Sequence, residues 1–112
     1  MGTLLLVATP IGNLGDLTPR AVEAFAAADL VCCEDTRRSG RLLQHAGVTA
    51  RRLRRVDDHT EHAATGEVLE VLNGGGTVAV VTDAGTPGIS DPGQRLVRAA
   101  IEAGHAVSAV PG

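Results

Sequence analysis

The run from Thr82 to Gly93 carries more chemical possibility than any other stretch of the chain. Its twelve residues hold three glycines, two prolines and two aspartates, together with the hydroxyls of Thr82, Thr86 and Ser90. It follows directly on an apolar, β-branched run from Thr77 to Val81. Glycine lets a ligand approach the backbone closely, and proline stiffens the loop. In a parallel α/β sheet, ligands bind where the chain leaves the carboxyl end of a strand. A rigid polar loop at that place suits the wall of a small-molecule site.

Three further groups fall after predicted strands, so a parallel sheet would bring all of them to one edge. Ala8 to Asp16 forms a second Gly/Pro loop. Two such loops can frame a pocket, although ordinary turn chemistry explains most of them. Neither reads G-x-G-x-x-G, which disfavours a dinucleotide site. Glu34 and Asp35 are adjacent carboxylates, suited to a general base and its orienting partner or to the acidic start of a helix. Asp57, Asp58, His59, Glu61 and His62 are potential metal ligands. Such a run is more often a solvated loop and helix start, and no metal site is expected here.

The charge is uneven. Seven of the ten arginines, at 37, 38, 41, 51, 52, 54 and 55, lie in a 21-residue window from Thr36 to Val56 with no acidic residue. That window carries +7 and the rest of the chain −10, giving the net −3. A basic patch on an acidic body suits a surface facing a polyanion; a solvated arginine-rich face is the alternative. With no lysine in the chain, Schiff-base, pyridoxal and Walker A chemistry are excluded. Phe25 is the single aromatic residue, and the lack of Tyr and Trp for stacking a base argues against this chain alone gripping single-stranded nucleic acid. No run approaches the roughly 20 apolar residues that span a bilayer, and Leu4 to Val7 is too short for a signal peptide, so a cytoplasmic location is expected. The neighbouring Cys32 and Cys33 are poorly placed to bridge each other and read as small buried hydrophobes.

The elements that must position these groups alternate. Strands are expected at 3–9, 30–33, 52–56, 78–81 and 106–110. Helices are expected at 18–27, with Thr18 capping and Pro19 in the first position, and at 38–45, ended by Gly47. Two more are expected at 61–72, with Val68, Leu69 and Leu72 on one face, and from Asp91 to Gly104. In the last, Leu96, Val97, Ala100 and Ile101 form the apolar stripe, and Asp91 with Gln94 resembles a capping box. The fold class is therefore α/β: a five-stranded, mostly parallel sheet flanked by helices, with right-handed crossovers. The 112 residues amount to about one domain, burying roughly two-thirds of the unfolded surface. The chain stops at Pro111 and Gly112 directly after a strand, which reads as a cut in a longer protein.

In order along the chain, Val7 to Asp16, Leu17 to Arg20, Glu34 to Arg37, Leu42 to His45, Asp83 to Gly93 and Leu96 to Arg98 resemble the ribosomal RNA small subunit methyltransferase I family. That family belongs to the tetrapyrrole-methylase-like (class III) methyltransferases. The resemblance covers all 112 residues and implies two α/β domains with the cofactor in the cleft between them, this chain being the N-terminal one. It implies methyl transfer from S-adenosylmethionine to the ribose 2′-oxygen of a decoding-region cytidine in 16S rRNA, by a homodimer. Carried over by position, Pro10, Gly12, Asp83, Gly85, Thr86, Pro87, Ile89 and Ser90 would bind the cofactor. Glu34, Asp35 and His59 are candidates for the base, and Arg37, Arg38, Arg54 and Arg55 for RNA phosphates. One departure stands out: where the family has a His-Glu-His-Asn-Glu-like run, this chain has Asp57, Asp58, His59, Thr60 and Glu61, retaining only His59 and Glu61. The competing readings are a tetrapyrrole methyltransferase, which has no need of the basic window, and a non-catalytic binding or dimerisation module. The domain alone is expected to fold, to self-associate and to be inactive.

Overall fold

Leucine- and valine-rich runs alternate with amphipathic ones, and each becomes an element in turn. The computed structural model describes residues 1–9, 17–83 and 91–110, apart from the side chains of Asp83, Asp91 and Pro92. The elements are β1 (Thr3–Thr9), α1 (Pro19–Ala27), β2 (Leu30–Cys33), α2 (Thr36–His45), β3 (Leu53–Arg55), α3 (Glu61–Asn73), β4 (Thr77–Asp83), α4 (Asp91–Glu102) and β5 (Ala106–Val110). β1, β2 and β5 have the bounds the sequence predicts. Thr18 caps α1 as expected, its hydroxyl accepting from the Ala21 N–H at 3.2 Å, with Pro19 in the first position. Gly47 and Gly104 follow α2 and α4 in the left-handed region, at φ 75° and 84°, where a Cβ would be strained.

The five strands form one sheet in the order β3-β2-β4-β1-β5, every neighbouring pair parallel. From β1 to β3 the chain moves toward one side of the sheet, and from β3 to β5 it moves back. With right-handed crossovers this reversal sends α1 and α2 to one face and α3 and α4 to the other. The core divides accordingly. Ala21, Ala24 and Phe25 of α1 and Leu42 and Leu43 of α2 pack on Val7, Val31 and Ala79. Ala64, Val68 and Leu72 of α3 and Leu96 and Ala100 of α4 pack on Leu4, Leu30, Cys32, Val78 and Val80. Both faces of the central strands are covered, which explains why β1, β2 and β4 read as continuous apolar runs, while the edge strand β3 is Leu-Arg-Arg and the edge strand β5 is largely exposed.

Three expectations need correction. β4 runs from Thr77 to Asp83, longer than the predicted 78–81, because Ala8 and Thr9 continue the β1 ladder to Thr82 and Asp83. α2 begins at Thr36 rather than 38, because Asp35 caps it. The apolar stripe of α4 is split: Leu96 and Ala100 are buried, while Ile101 points outward and is 58% exposed. The proposed capping role of the Asp91 side chain lies outside the described residues.

Candidate active site at the carboxyl edge

β1 and β4 lie side by side, and their last residues, Thr9 and Asp83, are partners in the ladder. The helix after β1 packs on one face and the helix after β4 on the other. That divergence marks the strand ends as the switch point, the place where open α/β sheets bind ligands. The two ends are tied together. The buried Thr9 hydroxyl donates to the Thr82 carbonyl at 3.1 Å, and the Thr82 hydroxyl donates to the Val7 carbonyl at 3.4 Å. Of the eight residues carried over as cofactor contacts, Asp83 is the terminal residue of β4. The others (Pro10, Gly12, Gly85, Thr86, Pro87, Ile89 and Ser90) lie outside the described residues, in the segments that leave these two strand ends.

The remaining candidates line up along the same edge. Glu34 and Asp35 follow β2, the neighbour of β4, one strand spacing or about 5 Å away. The turn carrying His59 follows β3, about 10 Å from the line of β4.

Asp35 is the N-cap of α2. Its Oδ1 accepts from the backbone N–H groups of Arg37 and Arg38, each at 3.0 Å. The Arg38 N–H, then the Arg37 N–H and the Arg41 and Arg37 guanidiniums, hold its carboxyl below the usual range despite an opposing desolvation. A carboxylate kept ionised in this way is a weak base. Glu34 beside it is exposed and takes no part in the cap.

Asp57 organises the next turn in the same manner. Its Oδ1 accepts from the N–H groups of His59 and Thr60, both at 2.9 Å, and the Thr60 hydroxyl accepts from the Asp57 N–H at 2.9 Å. The Thr60 N–H chiefly, with His59, the Thr60 hydroxyl and Arg55, lowers its carboxyl from the ordinary value. His59 stands exposed on this turn. Among the described residues, no three His, Cys, Asp or Glu side chains converge as a metal site.

The basic window separates into two parts. In β3 and just before it, acids from outside the window meet the arginines: Arg51 with Asp29 at 2.6 Å, Arg52 and Arg54 with Glu67 at 3.5 and 3.3 Å, and Arg55 with Asp57 at 3.0 Å. The buried Arg54 Nε is within ion-pair range of Glu67 but lacks hydrogen-bond alignment. On α2, Arg37 and Arg41 are exposed and form no ion pair among the described residues. Spaced i, i+4, they share one helix face. Arg37 and Arg38 occupy the first turn, where a cation opposes the helix dipole by about 0.3–1 kcal/mol. Arg41 was legible in the window but joins the site only once α2 is seen to start at Thr36.

Cys32 and Cys33 are free and buried. Alternation along β2 turns them to opposite faces, which prevents a bridge. Burial first, then the neighbouring Cys33, pushes the Cys32 thiol up to about 12, so neither redox nor nucleophilic work falls to it.

The fold has a solved counterpart. The fold matches that of uroporphyrin-III-C-methyltransferase from Thermus thermophilus with a TM-score of 0.69 and 22% identity, over 99% of this chain and 47% of that one. Residues 3–112 match the family of Tetrapyrrole (Corrin/Porphyrin) Methylases, and the chain belongs to that family. It is 55% identical, over its full length, to the Ribosomal RNA small subunit methyltransferase I of Synechocystis. It is 50% identical over 99% of its length to the protein of that name from Escherichia coli O157:H7. The chain spans about 40% of the length of these curated relatives.

Proposed function

We propose that this chain forms the donor-binding half of a methyltransferase that uses S-adenosylmethionine to methylate RNA of the small ribosomal subunit, at a cytidine ribose 2′-oxygen. The observation that carries the reading is the pairing of Thr9 with Asp83, the last described residues before the two Gly/Pro segments of the sequence, at the switch point of the sheet. The names of relatives at 50–55% identity support the RNA acceptor over a tetrapyrrole.

What supports such a donor is the pair of strand ends braced by Thr9 and Thr82, from which the two Gly/Pro segments of the sequence depart. Backbone groups can hold a small polar ligand without demanding large side chains. Bound there, S-adenosylmethionine supplies a methyl group activated by its sulfonium charge. Pro10, Gly12, Asp83, Gly85, Thr86, Pro87, Ile89 and Ser90 align the donor for in-line displacement. Glu34 or His59 takes the acceptor hydroxyl's proton. Asp35, committed to its cap, acts by presenting the first turn of α2. Arg37 and Arg38, with Arg41, meet RNA phosphates at that turn, while Arg54 and Arg55 contribute from β3 alongside their acidic partners. An enzyme of this kind works in the cytoplasm, as a homodimer whose second domain closes the cleft.

The test is calorimetric titration with S-adenosylmethionine, using the chain extended to the length of its relatives. Gly12→Val and Gly85→Val should each weaken binding by about tenfold or more, because a side chain would stand where the ligand meets the backbone. Unchanged affinity in both would contradict the assignment.

A further inference from the structure

Glu61 is the first residue of α3, and Arg95 lies in the opening turns of α4. Their side chains form an ion pair between Glu61 Oε2 and Arg95 Nη1. Both helices follow strands of a parallel sheet, so both begin at the carboxyl edge. The contact therefore joins two places the proposed chemistry keeps apart: the turn that carries His59, and the point where the chain enters α4 after β4.

The turn on the α3 side is firmly built. Asp57 binds the His59 and Thr60 N–H groups, the Thr60 hydroxyl lies 3.0 Å from the Arg55 carbonyl, and Arg55 in turn holds the Asp57 carboxylate. Behind it, Ala64 and Val68 share one core with Leu96 and Ala100. That apolar seam sets the distance between the helices, and its driving force is non-directional. An ion pair at the helix starts is directional and sets their register. The Arg95 side chain is 52% exposed and that of Glu61 20%, so the pair adds little to global stability.

We infer that Glu61 and Arg95 are positioning residues that hold the acceptor side of the edge, the His59 turn, in register with the donor side, where β4 ends and α4 begins. This rests on the methyltransferase reading above. Misalignment of reacting groups by a fraction of a bond length slows transfer without loosening either substrate.

The test is steady-state kinetics of methyl transfer to small ribosomal subunits, with the chain at the length of its relatives, alongside Tm. Glu61→Gln and Arg95→Gln should each lower kcat about tenfold while both KM values stay within about threefold. Tm should move by no more than about 2 °C, as befits an exposed pair. The double variant should be no slower than either single one, and Arg95→Lys, which keeps the charge, should retain most of the activity. An unchanged kcat in the two single variants would overturn the inference. So would a loss of kcat that tracks a fall in Tm and is not spared by Arg95→Lys. If the unaltered enzyme itself transfers no methyl group to RNA, the methyltransferase reading fails and this inference with it; transfer that the variants leave untouched defeats the inference alone.

Discussion

At the scale of single residues, a few side chains fix the geometry of the strand ends. Thr9 is buried, yet its hydroxyl has a partner in the Thr82 carbonyl, so it braces β1 against β4 just where their connecting segments depart. Thr9→Val keeps the shape and removes the donor. Denaturant unfolding should report a loss of about 1 kcal/mol, and donor affinity should fall with it. Equal stability would mean the brace is idle. Asp35 teaches a related lesson. A carboxylate next to another carboxylate at a strand end can be read as a base or as a helix cap, and both readings were open from residue types alone. Backbone N–H groups of Arg37 and Arg38 decide for the cap, and these bonds exist only because the chain turns helical at Thr36.

At the scale of elements, α2 and β3 divide a basic window that is continuous in the sequence. The arginines at 51, 52, 54 and 55 meet Asp29, Glu67 and Asp57, while Arg37 and Arg41 face outward from α2. The proposed RNA contact through α2 can be tested on this division. Arg37→Gln with Arg41→Gln should reduce the dependence of log affinity on log salt by about two phosphate contacts. Arg51→Gln, at the amino end of β3, should leave that slope as it was; equal effects from the two sets would contradict the division. The extents of β1, β2 and β5 were legible because continuous apolar runs bounded by turn residues have few alternatives. The start of α2 was less so, because its cap was also a candidate for chemistry. The pairing of Arg52 and Arg54 with Glu67 was not legible, since it depends on where α3 lies over β3, a non-local fact.

At the scale of the whole molecule, parallel pairing and alternation were readable, but the insertion of β4 between β2 and β1 was not. Nothing local in the sequence marks the crossover through α3 as the one that turns back, yet that reversal creates the switch point between β1 and β4. Stability should also carry a pH signature. Asp29, Asp35 and Asp57 all titrate below their ordinary value in the fold, through backbone hydrogen bonds first. Such groups favour the folded state above the unfolded pKa of about 4, and that contribution is lost as pH falls through the folded values. Cys32 works in the opposite sense: its ordinary value is 9.0 and its folded value about 12, so stability falls as pH rises across that interval. Unfolding free energy should be level near neutrality and decline at both ends; a curve flat down to pH 3 would contradict the capping roles.

The central claim is tested most directly by supplying labelled S-adenosylmethionine to the chain extended to the length of its relatives, with small ribosomal subunits that lack 2′-O-methyl marks as acceptor. The account predicts label at one ribose of the small-subunit RNA. Intact donor binding with no label on RNA would contradict it and point to a small-molecule acceptor such as a tetrapyrrole.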